Sequence, residues 1–134
     1  MKDDKPVFDM SAPPTSYSAF KPVGHTVIGF PDDESSERAQ HLLSEDGVQG
    51  LQQVPSSDMR SMMAALLDLA GGSAEFGHEV VVMRRFLSMS AKGYGWLIVP
   101  TADDEEARSI LATIEPLGAR VAVKYDRLII TDLL

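Results

Sequence analysis

The sequence contains no cysteine, which excludes disulfides, thiolate catalysis and metal or iron–sulfur sites held by thiolates. This absence also fits a reducing compartment. No run reaches the roughly 18 consecutive apolar residues that a membrane-spanning helix requires. The opening "MKDDKPVFDM" mixes both charges and lacks the apolar segment of a secretory signal. The sequence therefore predicts a cytoplasmic protein.

Positive charge is also scarce, since 12 lysines and arginines face 20 aspartates and glutamates, for a formal net charge of -8. The averaged field of such a chain repels phosphate backbones and anionic lipid surfaces. We therefore expect neither nucleic acid nor a membrane as a partner. No cofactor is expected either, because Gly93 and Gly95 precede an apolar run, whereas a dinucleotide-binding loop follows a strand and opens a helix.

The 134 residues, 44% of them hydrophobic, fit one domain and a tail. Residues 1–22 contain four of the eight prolines and show no periodicity, which predicts a flexible N-terminal arm. Within it, Phe8, Tyr17 and Phe20 are candidate anchors to a neighbouring subunit or to the domain's own surface. Residues 23–134 are predicted to form a single α+β domain.

Two stretches of this domain follow the same local plan. The apolar run "HTVIGF" predicts a core strand, an acidic-start helix follows, and residues 48–54 form a weak second strand. From Gly95, "GWLIVP", another acidic-start helix and "ARVAVKY" repeat the order. One ungapped shift pairs Asp32 with Asp103 and Gly47 with Gly118. Two strand–helix–strand halves predict a ferredoxin-like two-layer sandwich.

A helical insertion is predicted between the halves, over about residues 56–92. "SSDMRSMMAALLDLAGG" places Met59, Met62, Met63 and Leu66 on one helical stripe and ends in a glycine pair. "AEFGHEVVVMRRFLSMSAKG" is ambiguous, since "EVVVM" favours a strand, but the length and spacing favour a helix. The closing "RLIITDLL" predicts a final edge strand, in a hairpin with the strand before it.

The second half, "KGYGWLIVPTADDEEARSILATIEPLGARVAV", resembles the C-terminal half of the bacterial general stress protein (YflT-type) family. In that family an apolar strand leads to an acidic-start helix, an "LxxxGA" turn and a last strand, and this half shows the same order of elements, with Gly118-Ala119 before its last strand. The first half is similar to that family's opening strand and helix. The Met-rich helix departs from the pattern, since a glycine-rich segment is expected there. The resemblance implies a stress-associated, non-enzymatic role and supplies no catalytic residues.

The acidic stretches "PDDESSERAQ" and "TADDEEARSI" allow two interpretations, a metal or acid–base site and a pair of helix starts. Carboxylates at helix N-termini are favoured for stability alone, so we predict helix starts, with Thr101 and Asp104 as an approximate capping box. A second acidic pattern lies along the first helix. Spacing of four places Asp33, Glu37, His41 and Glu45 on one face, which predicts a solvated surface rather than a metal site.

Three sets of residues remain as functional candidates. Arg84 and Arg85 form the only adjacent basic pair and, with His78, are the predicted ligand-binding residues. The methionine stripe is either core or an adaptable interaction surface. His25 or His78 would be the general base of a small cofactor-free enzyme.

From these candidates we predict a non-catalytic oligomeric interaction or regulatory module, with no cofactor or metal and with a second copy or another protein as partner. The last strand offers an open sheet edge for pairing, and so small a domain has limited capacity to cover all its apolar faces. The alternatives are a small-molecule-sensing regulatory domain and the histidine-dependent enzyme.

Overall fold

The computed structural model describes residues 22–70, 77–126 and 129–134, so the predicted arm and its three aromatic residues lie outside the described residues, except for Pro22. The described part forms a five-stranded sheet and four α-helices. In chain order the elements are β1 (His25–Phe30), α1 (Asp33–Glu45), β2 (Gln52–Val54), α2 (Ser56–Ala70), α3 (Gly77–Ala91), β3 (Gly95–Pro100), α4 (Asp104–Ile114), a 3-10 turn (Glu115–Leu117), β4 (Val121–Tyr125) and β5 (Ile130–Asp132). Within these ranges, no helix has the length and apolar character needed to cross a membrane.

The sheet has the order β2-β3-β1-β4-β5, and every neighbouring pair is antiparallel. The first strand in sequence is therefore the central one. His25 lies opposite Pro100 on one side and Tyr125 on the other. The two edges of the sheet are β2 and β5.

Both faces of the sheet are covered by helices, because the central strands alternate apolar residues to the two sides. Trp96 and Ile98 join a core with α2 and α3, whereas Leu97 and Val99 join a second core with α1 and α4. Strands buried on both faces lose the polar alternation of a solvated sheet, and β3 is accordingly apolar throughout "WLIV". The described chain thus has three layers.

The structure confirms the α+β class, has a final edge strand and two helices, α2 and α3, between β2 and β3, and assigns residues 79–83 to a helix. The two-layer description holds only for the two strand–helix–strand halves. It is incomplete for the described chain because the inserted pair α2 and α3 covers the opposite face of the sheet. The sheet also extends by β5 beyond the strands of the two halves, and β2 is shorter than predicted.

The acidic stretches begin helices. Asp32 accepts a hydrogen bond from the Ser35 backbone N–H (2.7 Å), and Asp103 accepts one from the Glu106 N–H (2.8 Å). These bonds satisfy amides that have no partner inside the helix. The predicted capping box of Thr101 and Asp104 was wrong. Asp103 is the N-cap of α4, and Thr101 lies two residues earlier, where it is buried directly after β3.

Trp96 requires a glycine on the neighbouring strand. Its fully buried ring lies 4.7 Å from the Phe86 ring, centroid to centroid, and its indole N–H donates to Ser90 Oγ (2.9 Å). The same ring covers Gly29 of β1, where an added Cβ would lie only 2.7 Å from Trp96 Cζ3.

We expect Gly29→Ala to lower the free energy of unfolding by about 1–3 kcal/mol, because the indole has no room to move away from the new methyl group. Urea denaturation followed by far-UV circular dichroism measures the loss. In a Trp96→Leu background the same substitution should cost less. Equal losses in both backgrounds would contradict the proposed clash.

Candidate functional site

Polar residues, four of them buried and His25 half-buried, lie together at one end of the sheet, where β1 begins and β3 and β4 end. We call His25, Thr26, Thr101, Lys124 and Tyr125 the polar end of the sheet. Because side chains alternate along a strand, Lys124 and Tyr125 point to opposite faces. The polar end therefore comprises two clusters, one under α4 and one under α3.

Lys124 is the centre of the cluster under α4. Its side chain is 4% exposed, and its ammonium contacts Asp126 and, at 3.3 Å, Asp104 in the first turn of α4. The hydrogen bond to Asp126 raises the pKa of Lys124 against the opposing effect of desolvation, and Asp104 raises it further. A nucleophilic or basic lysine needs a lowered pKa. This ammonium is instead held protonated, and it ties β4 to the start of α4.

The hydroxyls of the cluster bond to each other. Thr26 lies directly opposite Lys124 in the sheet, and its Oγ1 is 2.9 Å from Thr101 Oγ1, with both residues buried. In the described ranges, no buried side-chain nitrogen or oxygen lacks a hydrogen-bond partner. The cluster therefore satisfies its own polar groups, as a buried network must if it is to stabilise a fold.

Tyr125 is the centre of the cluster under α3. Burial raises the pKa of its hydroxyl, and the carboxylates of Glu79 and Asp132 raise it further, so the phenol stays neutral across the physiological range. Asp132 of β5 also accepts a hydrogen bond from Arg85 of α3 at 3.1 Å. This ion pair links the edge strand to the helical layer.

The structure separates the three predicted ligand-binding residues. Arg85 is engaged with Asp132, whereas Arg84 is exposed on a different side of α3. His78 is exposed and lies two helical turns from Arg85, or about 10 Å along the axis. No shared anion site is formed by these three side chains, and their predicted role stays a prediction.

The two histidines of the enzyme hypothesis lie at the same end of the sheet. His25 pairs in register with Tyr125, and Glu79, next to His78, acts on the pKa of Tyr125. The His25 Nδ1–H donates to the exposed Val23 carbonyl (3.0 Å). This bond is local to the start of β1.

The methionine stripe lies in the core. Met59, Met63 and Leu66 are fully buried and Met62 is 7% exposed, in the same cluster as Trp96 and Phe86. Core packing, the first of the two interpretations given for the stripe, accounts for these side chains. Among the described residues of the helical pair, the exposed large apolar side chains are instead Leu69 and Val81.

The predicted acidic face of α1 is exposed to solvent except at its first residue, Asp33. Glu37, His41 and Glu45 are exposed, while the Asp33 carboxylate accepts a hydrogen bond from the Ser56 backbone N–H (2.9 Å) at the start of α2. Gly95 leaves room for this contact, since a Cβ there would lie 2.6 Å from Asp33 Oδ1. The ranges that the structure describes contain no group of three or more His, Asp or Glu side chains suited to a metal ion.

Sequence reasoning missed the buried lysine, although a signal was present. In "VAVKY" the period of two places Lys124 on the same face as Ala122, so a charge on that buried face requires a partner. Asp126, two residues later in the sequence, is close enough to be recognised as such a partner. Asp104 was not identifiable, because its approach depends on how α4 packs on the sheet.

No protein-family model matches the chain, and comparisons with curated proteins and with solved structures found no match. The resemblance to general stress proteins therefore stays a prediction.

We expect Asp126→Ala to lower the free energy of unfolding by about 1–3 kcal/mol, because the buried ammonium would keep only Asp104 as a charged partner. Lys124→Met should cost less, since methionine fills similar space and leaves both carboxylates to water. Urea denaturation at neutral pH measures both changes.

The double variant Lys124→Met with Asp126→Ala is the matched control for this pair. Its stability should equal that of Lys124→Met alone, because the aspartate acts through the lysine. Additive losses would contradict the coupling.

The pKa shifts of Tyr125 and Lys124 predict loss of stability at high pH. Both values are raised in the folded chain, so the stabilisation is complete below the ordinary values near 10 and decreases as the pH rises above them. Tyr125→Phe removes the tyrosine contribution, and its stability should fall less than that of the wild type between about pH 9 and about pH 11. Urea denaturation across this range measures the slope. Parallel curves for wild type and Tyr125→Phe would refute the assignment.

Proposed function

We propose that this chain is a non-catalytic, homo-oligomerising interaction module that associates through the edge strand β5. The observation that carries the proposal is the unpaired outer edge of β5, which ends the sheet order and pairs with β4 alone among the described strands. Such an edge presents backbone donors and acceptors that a further strand can satisfy.

The register of the β4–β5 hairpin identifies the outward groups. The Asp126 N–H donates to the Ile129 carbonyl, and the Leu133 N–H donates to the Ala122 carbonyl. Hydrogen-bonding residues alternate in an antiparallel pair, so Ile129, Thr131 and Leu133 direct their backbone groups to β4. The N–H and C=O groups of Ile130 and Asp132 consequently point away from the sheet.

Apolar side chains accompany this edge. Of the five exposed large hydrophobic residues in the described part of the chain, Ile129 (62%) and Leu134 (42%) lie within its last six residues. Single exposed apolar residues are common on protein surfaces. Two of them beside unpaired backbone groups support the assignment of this edge as an interface.

The opposite edge supports the proposal less well. β2 is as short as β5, with three residues, but it continues through Pro55 directly into α2. Proline removes a backbone donor at the end of this edge. Gln53 of this strand also donates its side-chain amide to Ser36 Oγ of α1 (3.0 Å).

At the level of fold, we infer a ferredoxin-like unit formed by β1 to β4 with α1 and α4, to which α2, α3 and β5 are additions. The β-α-β, β-α-β order of this unit supports the inference, whereas the five-stranded order differs from a four-stranded sheet by β5. A stress-associated or regulatory role in the cytoplasm completes the proposal. It is supported by the sequence resemblance and by the cysteine-free composition.

We expect the wild-type chain to form an oligomer whose mass by size-exclusion chromatography with light scattering depends on concentration. Asp132→Pro should give a monomer, because proline removes an outward N–H and leaves the bonds to β4 in place. Asp132→Ala is the matched control, since it loses the same ion pair with Arg85 but keeps the N–H.

The alanine variant should therefore remain oligomeric. Far-UV circular dichroism and thermal melting verify that both variants are folded. A wild-type chain that is monomeric at every concentration would refute the proposed function.

A further inference from the structure

We propose that the occupant of the β5 edge is the β5 strand of a second copy, paired antiparallel about a two-fold axis at Thr131. This inference rests on the proposed function, since it specifies the partner and the register of the same edge. It joins two five-stranded sheets into one continuous sheet, with α2 and α3 of both copies on one face.

Backbone geometry limits the choice of register. The outward groups belong to Ile130 and Asp132, so these residues have to form the hydrogen-bonded pairs of the new ladder. With the axis at Thr131, Ile130 of one copy pairs with Asp132 of the other, and the symmetry repeats this pair. Thr131 then faces its own equivalent in a non-hydrogen-bonded pair, in which side chains approach most closely.

Charge disfavours the register shifted towards the C-terminus. An axis at Asp132 would place two carboxylates directly opposite each other, in copies that each carry a net charge of -8. With the axis at Thr131, each Asp132 faces Ile130 of the second copy and keeps its own Arg85 at 3.1 Å. Each carboxylate therefore retains a cationic partner, and the Asp132 carboxylate of the second copy lies diagonally rather than directly opposite.

Apolar packing favours the same axis over one shifted towards the N-terminus. On the face covered by α1 and α4, the axis at Thr131 places the exposed Ile129 opposite Leu133 of the second copy, and the converse by symmetry. An axis at Ile130 would instead place Ile129 opposite Thr131. Only the first arrangement pairs the most exposed apolar side chain at this edge with an apolar partner in both copies.

The absence of cysteine makes the register directly testable, since a single introduced thiol is the only one in the chain. In Thr131→Cys the two thiols lie opposite each other, at Cβ separations of about 4.5–5.5 Å that a disulfide can close with a small shift. Mild oxidation followed by non-reducing electrophoresis should trap a covalent dimer. In Asp132→Cys, the matched control, the two thiols are diagonal, about 7–8 Å apart, and trapping should be at least about tenfold slower.

A second arm tests the register without altering Thr131. Ile129→Cys and Leu133→Cys chains, each slow to form a dimer alone, should form a mixed disulfide when combined. The overall mass of the untreated wild type, by light scattering, separates the possible failures.

Equal or faster trapping of Asp132→Cys, or an oligomer in which neither arm forms a disulfide, would overturn the register and leave the proposed oligomer in place. A wild-type chain that is monomeric at every concentration would overturn both proposals. Rapid trapping of Thr131→Cys together with the mixed disulfide would support the two-fold pairing.

Discussion

The architecture depends on the burial of the central strand β1 on both of its faces. Val27 packs under α2 and α3, whereas Ile28 and Phe30 pack under α1 and α4, and all three are fully buried. A strand in this position has no face for water, so each polar side chain it carries needs a partner inside the protein. The partner of Thr26 is Thr101, to which it is hydrogen-bonded. At Gly29 the Trp96 ring occupies the space that a side chain would need. The sequence of β1 is thus constrained from Thr26 to Phe30 by neighbours from other elements.

The same constraint explains why the buried ionisable side chains lie at one end of the sheet. Lys124 and Tyr125 follow the last fully apolar positions of β4, where the two cores meet solvent. Both side chains are buried, and both have raised pKa values, for different reasons: the ammonium of Lys124 is stabilised by two carboxylates, and the phenol of Tyr125 is kept neutral by burial. Neither shift prepares its group to accept a proton near neutral pH. The polar end therefore stabilises the fold where the two cores meet solvent. The proposed function rests on the β5 edge instead.

Local features were predictable from the sequence, whereas contacts between distant elements were not. The caps at Asp32 and Asp103 depend on residues three positions away, and the stripe of α2 depends only on helical spacing. By contrast, Asp33 has the same local setting as its counterpart Asp104, yet one carboxylate bonds the start of α2 and the other bonds Lys124. Nothing within either stretch distinguishes these outcomes, because they depend on which helix or strand is packed alongside. For the same reason, helical spacing predicted α2 and α3 but not the face of the sheet that they cover.

The order of the sheet has a consequence for how the chain folds. β1 precedes both of its partner strands, β3 and β4, in sequence. Its two edges are therefore paired only by distant segments, as the pairing of His25 with Pro100 and with Tyr125 illustrates. Contacts of such long sequence separation require a large loop to close before they stabilise anything, which slows folding. A nascent or partly folded chain consequently contains this strand without its hydrogen-bond partners until β3 and β4 are in place. The helices α1, α2 and α3 precede β3 in sequence, so elements that cover both faces of this strand are synthesised before its hydrogen-bond partners.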